Sequence, residues 1–171
     1  GLLCQGKTSY DAIHEMSDDP EYFKLAIGIT RAIPSAETLR QRMDDIGSSL
    51  REEILNANVS MFNTYNIQPS ALESDYIPLD LDVTPMNNSK THKEGVSHTY
   101  KGFDGYAPIM AYIGTEGFLV NTELRAGSQH CQCNTPAFLK QTLKLSHQLT
   151  DKQLLIRMDA GNDAAENLGI L

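Results

Sequence analysis

The chain of 171 residues carries a formal net charge of −8, with 14 Lys and Arg against 22 Asp and Glu, and its pI is about 5.0. That balance argues against a general polyanion binder, because affinity for nucleic acid rests largely on basic side chains. Apolar residues make up 40%, which suits one folded domain, or a domain with a helical appendage, better than disorder.

The start, GLLCQGKTSYDAI, has neither a basic opening nor a long apolar stretch, so no signal peptide is expected. It also lacks a starting Met, so the ends need not be natural ones. No apolar run approaches the roughly 20 residues needed to span a bilayer, and no membrane partner is expected. Cys4, Cys131 and Cys133 are too few for a disulfide framework, which fits a reducing, cytoplasmic setting. HCQC at 130–133 has no second pair to complete a zinc site and reads as loop thiols.

Helical spacing dominates up to about residue 70. SYDAIHEM reads as one short helix, and DPEYFKLAIG starts another at an Asp-Pro boundary. Such a pair could form a DNA-touching helix-turn-helix, or pack on a neighbouring domain. PSAETLRQRMDDIG has Ser35 as its N-cap and Gly47 as its stop. A further helix, SSLREEILNANVSMFNTYN, places Leu50, Ile54, Met61, Phe62 and Tyr65 near one face. Met43, Met61 and the aromatics of these helices are expected in a core.

From residue 71 the pattern is strand-like, giving an expected division into a helical region, 1–70, and a core, 71–171. The first strand covers about 76–83, and a polar, Gly-bearing loop follows. YAPIMAYIG and FLVNTELRAG are two strands separated only by the Gly114–Gly117 turn, so they must be antiparallel. NTPAFLKQTLKLSHQL is a helix with Asn134 as N-cap, Pro136 in its first turn and an apolar stripe of Phe138, Leu139, Thr142, Leu145 and Leu149. QLLIRMDAG is a fourth strand ending at Asp159, with a short helix behind it. The intervening helix allows this strand to return parallel to a neighbour.

YIPLDLDVT carries two acids, Asp80 and Asp82, two residues apart and hence on one face of a strand. Like charges so close need a cation, a proton or solvent to relieve them. If the fourth strand lies beside the first, Asp159 joins them at one sheet edge, and a divalent, oxygen-preferring metal is the expected cation. A calcium loop of the EF-hand type does not fit. Pro85 stands where its Gly is needed, and Thr91 where its closing Glu is needed.

Two families share such acids. Asp80-x-Asp82-x-Thr84 resembles the motif of haloacid-dehalogenase-type phosphatases, with Asp80 as nucleophile, Asp82 as acid/base, and Asp159 and Asp163 on Mg²⁺. The antiparallel hairpin conflicts with that family's parallel, doubly wound sheet. The ordered set LDLDVTP, THKEGVSHTYKGFDGYAPI, GFLVNTELRAGSQH and LLIRMDAGND more closely resembles DDE-type insertion-sequence transposases, in particular the group named IS thirteen-eighty. The helical lead YDAIHEMSDDPEYFKLAIG to IPSAETLRQRM resembles the segment before that family's core.

This resemblance implies an α/β fold, a partial ribonuclease-H-like mixed sheet preceded by a helical N-terminal region. It implies two Mg²⁺ (or Mn²⁺) ions held by two Asp and one Glu, for phosphodiester cleavage and strand transfer. Asp82 and Asp159 match the two Asp residues, catalytic and metal-binding, with Asp80 as a supporting acid. The family's Glu lies well past the second Asp, and Glu166 is too near to match it. The chain is therefore expected to be a fragment, catalytically silent by itself, or a remnant that only binds DNA or a partner. DNA, at the element's ends and its target, is the implied partner, and a homodimer is a further candidate. His98, Lys101, Arg125 and His130 are candidate DNA contacts.

Overall fold

A computed structural model describes residues 2–171. They form two compact units, one up to Glu53 and one from Ile54 to Leu171. The second unit thus reaches back into the helical region and takes in the last part of a long helix.

The first unit opens with a 3-10 turn at Leu3–Gln5 and a 3-10 segment at Tyr10–Ser17, whose Ile13 and Met16 are buried. The Ser9 hydroxyl accepts from the Asp11 N–H at 3.2 Å and so starts that segment. Helix α1, Pro20–Ile27, begins where the Asp19 carboxylate accepts from the Tyr22 N–H at 3.2 Å, and ends at Gly28 in the left-handed region. The first member of the expected helix pair is therefore 3-10, and a motif of two α-helices does not form here.

Helix α2 is continuous from Ala36 to Thr64. Ser35 caps it as expected, accepting from the Thr38 N–H at 3.2 Å. Gly47 does not stop it, a correction to the reading of two helices. A glycine ends a helix by taking positive φ, and Gly47 does not. Its cost inside a helix, about 1 kcal/mol relative to Ala, is small against the packing of the helix's C-terminal part. That part buries Leu55, Val59 and Phe62. Of the face expected from sequence, Ile54, Met61 and Tyr65 are exposed instead, and so is Met43. Two overlapping stripes of helical period exist, and the sheet selects one. Phe62 meets Phe118 at 5.3 Å between ring centroids, and Asn58 Nδ2 donates to the Leu119 carbonyl at 2.8 Å.

Strand β1 runs Ile77–Val83. After it come three short strands, β2 Met86–Asn87, β3 Ser97–His98 and β4 Asp104–Tyr106, then β5 Ile109–Ile113 and β6 Phe118–Glu123. Helix α3, Thr135–Ser146, leads to β7, Leu154–Met158, and a short α4, Ala165–Leu168. The main sheet has the order β6-β5-β1-β7. β5 is antiparallel to both β1 and β6, and β7 is parallel to β1. The β5–β6 turn needs Gly114 at φ 79°, and a Cβ there would approach Pro69 Cβ to 2.9 Å.

The core gathers Ile77, Leu79 and Leu81 of β1, the inward residues of β5 and β6, and Phe138, Leu139 and Leu145 of α3. Thr142 and Leu149 of the expected stripe are buried too. Asn134 does not cap α3 with its side chain, a further correction. It sits at φ 61° and donates to Glu123 Oε2 at 3.1 Å. The polar loop after β1 holds a second sheet, β2-β4-β3, which periodicity does not reveal because its strands are only two or three residues long. No described helix is long and apolar enough to cross a membrane.

Candidate functional site

On β1, Leu79 and Leu81 turn into the core while Asp80 is half-buried and Asp82 exposed. The alternation of a strand thus puts both acids on the face away from the core. Their surroundings differ. Asp80 lies opposite Arg157 in the β1–β7 ladder, and the guanidinium grips its carboxylate through Nε and Nη2. That hydrogen bond holds Arg157 above its ordinary pKa. Asp82 has no such cation; Thr84 Oγ1 donates to its Oδ2 at 3.3 Å.

The parallel ladder runs from Ile77 against Leu154 to Leu81 against Met158. Continuing that register by one residue sets Asp82 against Asp159, just where β7 gives way to the 3-10 turn Ala160–Asn162. Asp159 is exposed, and Asn162 Nδ2 donates to its Oδ1 at 2.7 Å. Asn162 is itself buried, and its carbonyl accepts from Asn167 Nδ2 at 2.8 Å. Thr84 was legible in principle as a neighbour of Asp82, two residues on along the same strand's extension, whereas Arg157 meets Asp80 only through the pairing of the two strands. Asn162 was not, since its hold on Asp159 depends on the 3-10 turn. Asp163 and Glu166 are exposed beyond that turn.

Beside Asp159 opens a cavity of about 410 Å³. Val83 and Ala107 line it with Tyr100, His98, His130 and Cys131. Asp159, Gly161 and the segment Gly127–Gln129 also line it, whereas Asp82 does not. The Cys131 thiol donates to the Gly161 carbonyl at 2.9 Å, so it ties the loop before α3 to the turn after Asp159. Among the described residues no group of three or more His, Cys, Asp or Glu is placed to hold a metal ion.

The four candidate DNA contacts part company. His98 is exposed, its Nδ1 3.2 Å from Asp104 Oδ1. Lys101 is exposed with its ammonium 5.3 Å from the Tyr100 ring centroid. His130 is exposed and accepts from the Gln132 N–H at 3.3 Å. Arg125 is only 3% exposed, which corrects its reading as a surface cation. Its Nε donates to Glu123 Oε1 at 2.7 Å, and its Nη1 to the Cys131 carbonyl at 3.1 Å and Thr135 Oγ1 at 3.0 Å. The guanidinium also lies over the Phe138 ring at 5.8 Å. Arg125 therefore fastens the 127–135 loop to the end of β6, and its charge is spent inside the protein.

Compared with known families, residues 2–169 match the model described as Transposase DDE domain group 1. No curated protein and no solved structure matches the chain.

Proposed function

Because the chain belongs to the family of transposase DDE domains, we propose that the unit from Ile54 onward is the metal-binding core with which a transposase cuts and joins DNA. The helices followed by a mixed sheet agree with the ribonuclease-H-like fold of such domains. Family membership carries with it divalent metal ions and DNA as substrate. The finer statements are ours: Mg²⁺ or Mn²⁺ as the ions, Asp82 and Asp159 as their ligands, and the IS thirteen-eighty group as the relatives, on the strength of the ordered motifs LDLDVTP to LLIRMDAGND.

The observation that carries this reading is the parallel pairing of β1 with β7, whose next rung is Asp82 and Asp159. The donor chemistry fits. Both side chains are exposed carboxylates, hard oxygen donors suited to Mg²⁺ and open to water and phosphate. When bound, the ions activate a water or a 3′-hydroxyl and stabilise the leaving oxygen. Thr84 and Asn162 each donate to one carboxylate and fix its orientation, as partners behind a ligand commonly do. Asp80 supports from two rungs further in: paired with Arg157, it adds little negative charge to the edge where phosphate must approach. The phosphatase alternative needs Asp80 as a free nucleophile on a parallel sheet. Instead Asp80 is gripped by Arg157, and β1 has an antiparallel neighbour.

Titrating the chain with Mn²⁺ while following its NMR spectrum tests the assignment. Paramagnetic broadening should centre on the residues around Asp82 and Asp159. It should weaken at least tenfold in apparent affinity in Asp82→Asn and in Asp159→Asn, and change little in Asp80→Asn. Broadening centred elsewhere, or indifferent to both variants, overturns the site.

A further inference from the structure

We propose that residues 84–103 form a lobe that holds an unpaired DNA strand, with Lys90, Lys93 and Lys101 on its phosphates and Tyr100 stacked on one base at the mouth of the cavity beside Asp159. This rests on the reading of the chain as a DNA-processing core and adds to it which surface holds the substrate, and in what form.

Charge comes first. In a chain of net charge −8, this segment carries three lysines and two histidines against a single acid, Glu94. Lys90, Lys93 and Lys101 are all exposed. The acidic total therefore hides a locally basic segment, even with Asp104, which follows it and faces His98, and attraction to phosphate depends on local charge within about a Debye length, roughly 10 Å.

Placement comes second. The segment leaves β1 two residues after Asp82 and re-enters the main sheet through β4 and β5. It is not a loose loop. Asp104–Tyr106 pairs with Met86–Asn87 on one side and Ser97–His98 on the other. A Cβ on Gly105 would meet the Met86 carbonyl oxygen at 1.9 Å, so only glycine permits that approach. Tyr106 Oη donates to the Glu94 carbonyl at 2.6 Å, and Tyr100 Oη to the Val83 carbonyl at 3.4 Å. The last bond ties the lobe directly to the end of the strand that bears Asp82.

The aromatic group comes third. Tyr100 is 70% exposed and yet borders the cavity, with His98 nearby and Val83 and Ala107 as apolar wall. An exposed ring over an apolar recess, with the Lys101 ammonium 5.3 Å from its centroid, is suited to a flat, anionic ligand. A base in a duplex has its faces covered by its neighbours, so only an unpaired base can use this ring. The cavity's volume of about 410 Å³ is within the range of small-molecule sites and has room for one base.

The test uses the full chain without divalent metal, so it does not depend on the Asp82–Asp159 assignment. Fluorescence anisotropy compares a labelled single-stranded oligonucleotide with its duplex over a range of salt concentrations. Circular dichroism and thermal melting confirm that each variant is folded. The single strand should bind more tightly. Lys90→Gln, Lys93→Gln and Lys101→Gln together should flatten the slope of log affinity against log salt by about 2, at roughly 0.7 per phosphate contact. Tyr100→Ala should weaken single-strand binding about tenfold without changing that slope, and Tyr100→Phe should retain it. Equal affinity for duplex and single strand with no effect of Tyr100→Ala overturns this proposal and leaves the DNA-processing reading standing. An unchanged salt slope in the triple variant also overturns it. Absence of binding to either oligonucleotide at low salt overturns both.

Discussion

Arg125 and Arg157 both face a carboxylate, but one side chain is 2% exposed and the other 54%. The difference sets what each pair is worth. Around Arg157, water screens the attraction to Asp80, and such exposed pairs contribute little to stability. Around Arg125, removing the cation would take a bond from Glu123, from the Cys131 carbonyl and from Thr135 Oγ1 in a largely dry setting, leaving Glu123 to Asn134 and the other two to each other. Arg125→Ala should therefore cost about 3 kcal/mol in urea unfolding, and Arg157→Ala should shift the transition far less. Equal losses would show that the 127–135 loop does not depend on the buried guanidinium. Sequence could not separate the two arginines, because both stand near a strand end and neither its spacing nor its neighbours record what packs over it. Burial was decided by α3, whose Phe138 and Thr135 close over Arg125.

Helix α2 shows what periodicity leaves undetermined at the scale of an element. Ser35 starts it by a local hydrogen bond, which sequence predicts well because cap and donor are three residues apart. Its end and its buried face depend on distant partners. Gly47 has the composition of a stop, but the helix continues through it because nothing there turns the chain. Beyond its chain neighbours and the backbone of its own helix, no described atom lies within 4 Å of where a Cβ would stand. Gly47→Ala should accordingly stabilise the chain by about 1 kcal/mol, since alanine is the better helix former and meets no clash. A thermal melt showing a loss of stability would mean that Gly47 serves a break or a contact instead. In the same helix Phe62 of the expected face is buried, but its buried companions are Leu55 and Val59 of a competing stripe, and only the sheet beneath decides between the two.

At the scale of the whole molecule, the principal core cluster is formed entirely by residues from Leu55 onward. A fragment starting at Ile54 should keep a cooperative urea transition and dispersed amide NMR signals. A loss of cooperativity would mean that the sheet needs the first 53 residues in order to fold. What sequence determined by itself is what short-range physics controls: the strand alternation of LDLDVT, the antiparallel hairpin at Gly114–Gly117, the apolar stripe of α3, and the parallel return of β7 that a crossover helix makes possible. From these the parallel pairing of the Asp82-bearing strand with the strand that ends before Asp159 could be anticipated. Tertiary structure alone decided the rest. It gave Asp80 to Arg157, sank Arg125, rotated the buried face of α2, and built the small sheet of residues 86–106 around Gly105. Each of these depends on which atoms arrive from far along the chain, and neither spacing nor composition records that.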